Sequence, residues 1–447
     1  HMTPSPIRWA PPATFDADAP DLGLPPFPAA EHTVLYDPLP CAANVDEGGD
    51  GRYESLRHGT YSHHPAIVLK DRTFIVYWTQ HSKDENGPGQ RMLACAGQFD
   101  TAFEEIDWSR DGALVEIIPP PIPVRRRPWN HDPHVIYPYA LGSLQLVNER
   151  LYTSGLIVAC HGYTNDVKYH GFQTRPLPAS AWSDDLDRER GFIYDLWLDL
   201  GLRFVQRWRI QDGVLVADSP MYAQAPLTPR FEVCDGRWKD VAALLPPYSE
   251  ALPFDAAPTE MHDDILNGIP VQFARHAKYA PGTSRLTEDG TNGLAHETEF
   301  RRRDGKWIVL RDNLERRGHY WAALKEREED CYPPAVETNL YGGAMPVAGE
   351  LPSGRVWVIC NSFDDYYNAA DRSRKVMFVT LSDDGITFDR TYGLLHVDRQ
   401  PDGGMYKFGG PQYYKALTVG KNVWVVYSIT KEKVGVTKLP VDALEEA

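Results

Sequence analysis

The sequence predicts an all-β fold, a single β-propeller with about seven blades of four antiparallel strands. The first observation is composition: the 447 residues include 35 glycines and 37 prolines, and 11% are aromatic. This is typical of short strands joined by many turns. The second is a hairpin that recurs along the chain. The third is that no Gly/Ser-rich or charged linker divides the chain, which favours one closed ring over the alternative of two β-sandwich domains.

Each clear copy of the hairpin joins two apolar strands through a turn that contains Gly, Asp or Asn. The clear copies begin at His64, Leu144, Thr298, Met345 and Ala416, and weaker copies lie at 197–216 and 231–243. His64 and Gln412 lie 348 positions apart, which makes six steps of 58 residues. Such a step fits one blade plus a loop and predicts seven blades.

The N-terminal segment differs from the rest of the chain. Residues 1–32 are rich in proline and lack periodicity, which predicts an extended arm before a propeller at 33–447. The start His1-Met2 is typical of a cloning scar. Localisation therefore stays open between the cytoplasm and export with the signal removed. No run of 18 apolar residues occurs, so we expect no membrane helix.

The formal net charge of −16 argues against partners that are themselves polyanionic surfaces. We therefore expect that the protein binds neither nucleic acid nor a membrane. We also expect it to be a monomer. No Walker, Rossmann, HExxH or GxSxG motif is present, so a nucleotide cofactor is not indicated. We expect no required cofactor and no catalytic metal, although a bound structural cation such as calcium would be compatible with the fold.

The last third of the chain carries motifs of a known family. Residues 305–312, with Trp307 and Asp312, are followed by the hairpin 351–357. Residues 381–388 are similar to an Asp box, one residue short and ending in Phe388. Together with 410–413 and the closing strands, these segments resemble the sialidase-like (BNR/Asp-box) propellers. The Arg-Ile-Pro of true sialidases is absent.

The N-terminal half, which opens on Ser62-His63-His64-Pro65, is more similar to the propeller polysaccharide lyases. These are the ulvan lyases, the rhamnose-glucuronate lyases and their rhamnosidase-like relatives. The resemblance implies β-elimination in a uronic-acid-containing glycan by His and Tyr, with Arg neutralising the carboxylate. The partner would be an acidic oligo- or polysaccharide. An exo-glycoside hydrolase of the sialidase or rhamnosidase type and a non-catalytic glycan-binding propeller stay open as alternatives.

Elimination beside a carboxylate needs three groups. One neutralises the carboxylate, a base takes the neighbouring proton, and an acid protonates the leaving oxygen. Histidines, tyrosines and arginines recur at the ends of the predicted strands, and the two ends of a hairpin meet at one edge. The candidate catalytic residues are His64, His81, Tyr139, His161, Tyr163 and Arg209. The candidate substrate-binding residues are His63, Arg91, His134, His262, His296, Tyr341, Gln412 and Tyr413. Hydrolysis usually needs two carboxyl groups instead, and the available acids are Asp263, Glu297 and Asp312.

Overall fold

The computed structural model describes residues 4–41, 53–82, 90–121, 136–164, 192–194, 198–223, 246–268, 277–291, 293–313, 316, 318–362, 374–402 and 407–447. It describes the backbone alone for 136–141, 158–164, 192–194, 198–202 and 266–268. Strands dominate these residues, so the predicted all-β class is confirmed.

The N-terminal arm contains strand β1 (Arg8–Trp9), and strand β2 (Glu31–Tyr36) starts at the end of the arm and runs into the propeller. Both pair with strands from the C-terminal third of the chain. Apolar side chains of the arm, such as Leu22 and Leu24, are buried with that part of the propeller. The arm is therefore an integral part of the packed core.

The first unit illustrates how the sequence forms a blade. Strand β4 is almost entirely buried because hydrophobic clusters pack against both faces of its sheet. Asp71 adopts φ +54 at the β3–β4 turn, as a tight hairpin requires. The strands are β3 (Tyr61–Lys70), β4 (Thr73–His81), β5 (Arg91–Phe99), β6 (Ile106–Asp107) and β7 (Leu114–Ile118).

The second unit is larger than predicted. Its strands are β8 (Ile136–Val147), β9 (Arg150–Thr164), β10 (Phe192–Tyr194), β11 (Leu198–Gln211), β12 (Val214–Ala217), β13 (Tyr222–Ala223) and β14 (Leu252–Pro253). Strand β11 pairs with both β9 and β12. The weak hairpin copy at 197–216 thus forms the outer part of this unit, and the copy at 231–243 lies outside the described residues.

Short helices lie on either side of β14 in the sequence. They are the 3-10 turns Tyr248–Glu250 and Phe254–Ala256 and the α-helix α1 (Thr259–Gly268). The carboxylate of Asp264 in α1 is buried and accepts hydrogen bonds from Asn148 and Tyr152. These bonds attach α1 to the end of the unit that carries the β8–β9 turn.

One long strand links the third and fourth units. The strands are β15 (Leu294–Arg301), β16 (Trp307–Asn313), β17 (Gly318–Lys325), β18 (Val336–Glu350), β19 (Val356–Asn361), β20 (Val376–Ser382), β21 (Thr387–Phe388) and β22 (Arg390–His396). The first half of β18 pairs with β17 and its second half with β19, so both units share one seven-stranded sheet.

The Asp-box segment forms a structural turn, as its pattern predicts. Asp384 Oδ1 accepts hydrogen bonds from the amides of Ile386 and Thr387, at 2.7 and 3.0 Å. Strand β21, which follows the turn, pairs with β1 of the arm. Phe388 stands at the aromatic position of the motif and is fully buried.

The last unit is completed by the N-terminal strand. It contains β23 (Pro411–Val419), β24 (Asn422–Ile429) and β25 (Lys433–Pro440), and the helix α2 (Val441–Glu446) follows. Strand β2 adds to β25, which joins the two ends of the chain in one sheet as in a closed propeller. The described strands form five blade-like units, and seven blades remains a prediction. No helix within the described ranges is long and apolar enough to span a membrane.

Candidate functional site

Four of the predicted residues meet where the first strands of three units begin. The ring of Tyr413 lies 4.1 Å from His63, 4.9 Å from His64 and 5.3 Å from His296, measured between centroids. The two neighbouring histidines are 3.7 Å apart. We call these four residues the histidine–tyrosine cluster and the end of the propeller that carries it the mouth.

A β-bulge in each first strand places these side chains. His64, His296 and Tyr413 have φ values of +50, +22 and +61, and the strand register shifts at each of them. Ala344 occupies a similar bulge in β18, with φ +63. Bulges re-aim side chains, and positive φ is rare for residues other than glycine. Their repetition at the mouth is a mark of a functional site.

Two cations flank the cluster. The guanidinium carbon of Arg374 lies 5.4 Å from the ring centroid of Tyr413, and Lys431 Nζ lies 5.3 Å from it. Both also stand over the ring of Phe408, at 4.8 and 5.0 Å. Gln412 is fully buried and accepts a hydrogen bond from Arg374 at 2.9 Å, so this predicted binding residue positions a cation instead of facing a ligand.

The charges at the mouth favour neutral histidines. Burial lowers the pKa of His63 well below its usual value, and the nearby His64 and Lys431 lower it further. Burial also lowers the pKa of His64, with Lys431 and His296 adding to the effect. A neutral imidazole can accept a proton. Lys415 is an exposed cation two residues after Tyr413 in β23, and the nearby charge of Glu297 favours its protonated form.

Two hydrogen-bonded arrangements that each include a carboxylate from the third unit lie next to the cluster. His296 Nδ1 is 3.0 Å from both carboxylate oxygens of Asp312. Tyr279 Oη donates a hydrogen bond to Glu297 Oε2 at 2.8 Å and accepts one from Arg311 Nη1 at 2.9 Å. Burial raises the pKa of Tyr279, which keeps its hydroxyl protonated at rest.

Sequence reasoning missed five of these groups as site residues: Tyr279, Arg311, Arg374, Lys415 and Lys431. Arg311 had a usable signal, because it begins the Arg-Asp end of a sialidase-like strand. The others come from loops or strand positions without a motif. Within the described residues, no group of three or more His, Cys, Asp or Glu side chains could hold a metal ion.

His81 and Arg91 lie in the first unit, as expected, but both are buried. His81 is fully buried beside Tyr61, its partner in the strand register, and a substrate cannot reach its ring in this conformation. Arg91 donates hydrogen bonds to Gln80, to Glu116 and to three backbone carbonyls. Its donors are engaged inside the protein, which corrects the expectation of a carboxylate clamp.

Arg209 and His262 lie away from the mouth. Arg209 is near the end of β11, close to the β8–β9 turn at the opposite end of the second unit, and it pairs with Asp218 at 3.3 Å. His262 belongs to α1, which packs at that same end, and its ring contacts Phe254 with centroids 4.5 Å apart. The structure therefore corrects their expected places beside the other candidates.

Tyr341 contacts the N-terminal arm. Its ring lies 5.3 Å from that of Phe15. The neighbouring Asn339 exchanges hydrogen bonds with the backbone of Trp9, at 2.8 and 2.6 Å. These contacts give this part of β18 a role in holding the arm.

Three of the remaining candidates lie in the second unit. His161 pairs with Ile136 in the backbone register, so the end of β9 meets the start of β8 as predicted. Tyr139 and Tyr163 lie in the same two strands, and the side chains of all three are outside the described part. His134 is outside the described residues altogether. Their roles stay predictions.

Comparison with known proteins bears on the fold. No family model matches the chain, and no curated protein matches it. A solved structure named Sialidase aligns with 98% of the chain at 16% identity and a TM-score of 0.58. The chain has a sialidase-like propeller fold. It covers only 35% of that protein. A Trypanosoma rangeli sialidase in complex with the inhibitor DANA aligns over 93% of this chain and 60% of its own, at 10% identity and a TM-score of 0.43.

Proposed function

We propose that this chain is a carbohydrate-active enzyme that hydrolyses the glycosidic bond of a terminal acidic sugar. The observation that carries the proposal is the hydrogen-bonded Tyr279–Glu297 pair beside a mouth with three cations. Elimination, the first expectation from the sequence, is the second candidate.

The Tyr279–Glu297 pair suits nucleophilic catalysis. Sialidases are known to use a tyrosine as nucleophile where most glycosidases use a carboxylate. Glu297 can take the phenolic proton as the Tyr279 oxygen attacks the anomeric carbon, since the two oxygens are 2.8 Å apart. The hydrogen bond from Arg311 would stabilise the developing phenolate. Tyr279 and Glu297 are both partly exposed, so a sugar can approach them.

The cations supply selectivity for an acidic sugar. Lys415 interacts electrostatically with both His64 and Glu297, which supports a common region for the Tyr–Glu pair and the histidine–tyrosine cluster. Arg374 and Lys431 approach the cluster through Tyr413. Arg374 and Lys431 are almost fully buried and would attract a carboxylate through their charge, whereas the exposed Lys415 could donate a charge-assisted hydrogen bond to it, which is stronger than one between neutral groups.

Elimination has its own supporting observation. His64 has a lowered pKa and lies against Tyr413, so a neutral base and a hydroxyl acid are adjacent. A cation at the mouth would neutralise the carboxylate and acidify the proton beside it. This route needs a uronic acid, whereas hydrolysis does not.

The experiment is a panel of glycans and aryl glycosides that end in uronic or sialic acids, with neutral sugars as controls. Hydrolysis predicts a new reducing end with no ultraviolet absorbance from an unsaturated sugar, and elimination predicts that absorbance. Tyr279→Phe should lower kcat by roughly 100-fold or more, in the range of a lost catalytic group. Tyr392→Phe, which removes a hydroxyl from a different core cluster, is the matched control. Binding without turnover would refute both reactions and support a glycan-binding propeller.

A further inference from the structure

We propose that His296 and Asp312 form a proton-transfer pair that serves the leaving group of this site. His296 would be the catalytic residue and Asp312 its positioning residue. The inference rests on the proposed function, because it assigns the proton donor of that reaction. It was not apparent from the sequence, where His296 was expected only to bind substrate and Asp312 was one of three available acids.

The first step of the argument is the fixed tautomer. Both oxygens of Asp312 lie 3.0 Å from His296 Nδ1. A carboxylate can only accept hydrogen bonds, so the shared proton belongs to Nδ1. The other ring nitrogen, Nε2, is therefore the atom that exchanges a proton with a ligand. Which nitrogen carries the proton of a histidine is set by such a partner.

The second step is the fixed backbone. His296 is the extra residue of the bulge between Ala295 and Glu297, with φ +22. The buried Arg311 donates hydrogen bonds from Nε to the carbonyl oxygens of Ala295 and His296, each at 2.9 Å. These bonds hold a strained conformation that an ordinary strand residue would avoid. Backbone strain that the surrounding residues maintain is typical of functional positions.

The third step is access. The side chain of His296 is 22% exposed, and that of Asp312 is 5% exposed. A ligand in the mouth can thus reach the imidazole and not the carboxylate. By contrast, His63 is 1% exposed. A reachable imidazole backed by a buried carboxylate is the arrangement that orients histidine for proton transfer in hydrolases.

The reaction then balances as follows. The reaction starts from the protonated ring of His296, which carries a proton on each nitrogen. Its Nε2 proton passes to the glycosidic oxygen while the bond from that oxygen to the anomeric carbon breaks, which leaves the neutral ring protonated on Nδ1. The Tyr279 oxygen forms a bond to the anomeric carbon, and its proton goes to Glu297. Water next attacks the same carbon and returns a proton to Nε2, and the bond to Tyr279 breaks as Glu297 gives its proton back. The net change is one glycoside and one water converted to a free sugar and an alcohol.

Two variants test the pair in the full chain. His296→Gln removes the proton donor and should lower kcat by roughly 100-fold or more. In Asp312→Asn the amide can turn its NH₂ toward Nδ1 and shift the proton to Nε2. We expect at least a tenfold lower kcat with KM within threefold. Asp398→Asn, at an exposed ion pair with Lys375, is the control and should keep kcat within twofold.

A second readout does not depend on turnover. In protein labelled with ¹⁵N-histidine, the His296 signals are those missing from His296→Gln. They should show protonated Nδ1 in the neutral ring of the wild type and protonated Nε2 in Asp312→Asn. Diethyl pyrocarbonate should modify His296 at least tenfold faster in the wild type than in Asp312→Asn, as judged by peptide mass.

The outcomes separate the two proposals. A wild-type chain without turnover on any acidic glycan overturns the proposed function, and the tautomer and reactivity of His296 then decide on the pair. A neutral wild-type ring that carries its proton on Nε2 instead of Nδ1 overturns the pair, as does a His296→Gln variant that keeps kcat within threefold while Tyr279→Phe abolishes it. The expected tautomer together with the expected losses of kcat supports both proposals.

Discussion

Replacing Arg91 with Met tests whether this arginine is a structural anchor or a substrate clamp. Its three nitrogens donate to a side-chain amide, to a carboxylate and to backbone carbonyls of residues 55, 56 and 58. The Glu116 carboxylate accepts at 3.1 Å, and the ring centroid of Tyr53 lies 3.7 Å from the guanidinium carbon. The anchor interpretation predicts lost stability, and the clamp predicts lost substrate binding in a stable protein.

The size of the loss follows from these contacts. Removal of one partner of a buried charge pair costs about 3–5 kcal/mol. Arg91 is 3% exposed, and its carboxylate partner Glu116 is 28% exposed, so the buried estimate is reduced only slightly. We expect Arg91→Met to lower the free energy of unfolding by about 3 kcal/mol or more at neutral pH. Methionine keeps part of the apolar stem, so the loss reports mainly the guanidinium.

The loss should also depend on pH. Burial raises the pKa of Glu116, and Arg91 opposes that rise. Without Arg91 the pKa in the folded state should rise further above the unfolded value near 4.5. The folded carboxyl then holds its proton more tightly than the unfolded one. Stability relative to the wild type should therefore fall as pH increases from 4.5, and the deficit should be smaller in acid.

The assay is urea unfolding followed by tryptophan fluorescence at several pH values. Arg209→Met is the matched control, because Arg209 is 54% exposed and pairs with one carboxylate. A surface pair of this kind contributes about 0–1 kcal/mol. A loss below about 1 kcal/mol in Arg91→Met, with a raised KM, would refute the anchor and restore the clamp.

Three further predictions concern other buried positions. Gly410 has φ +85, and an added Cβ would lie 2.0 Å from the carbonyl oxygen of Arg374, so Gly410→Ala should lower Tm by several degrees or prevent folding. Lys407 and Glu432 form a buried pair at 3.0 Å, so Lys407→Met should cost about 3–5 kcal/mol in urea unfolding, whereas adding Glu432→Leu should recover part of that loss. Because burial depresses the pKa of His63 below 6.5, wild-type stability should fall as pH drops below about 6.5, and His63→Asn should flatten this slope in thermal unfolding.

The recurring hairpins could be predicted because each depends on local sequence. Asp71, Gly305, Gly354 and Gly420 all adopt positive φ at turns between paired strands. The residues on either side of each turn alternate between apolar and polar or are all apolar, and these patterns predict the strands. The sharing of β18 between two units could not be predicted, since nothing local distinguishes one long strand from two. The place of 197–216 in the second unit also depends on its distant partner β9.

The site was predictable only in part, for a related reason. His63, His64, His296 and Tyr413 stand where first strands begin, and ring closure brings such positions together. The bulges that aim them were not visible in the sequence. The sequence also does not distinguish Arg91, whose hydrogen-bond acceptors lie in its own unit, from an arginine that faces the mouth. Residue type states what a side chain can bind, and only the fold decides what surrounds it.

The net charge of −16 and a cationic mouth are compatible because electrostatic interactions are local. At physiological salt the screening length is about 8 Å, so exposed acids elsewhere on the surface contribute little at the mouth. Arg374 and Lys431 lie within 5.5 Å of the Tyr413 ring centroid and are almost fully buried, where screening is weak. For the proposed function, an acidic surface would repel long polyanions and leave a single carboxylate attracted to the mouth. The proposal therefore favours the end of a glycan over its interior as the group that binds.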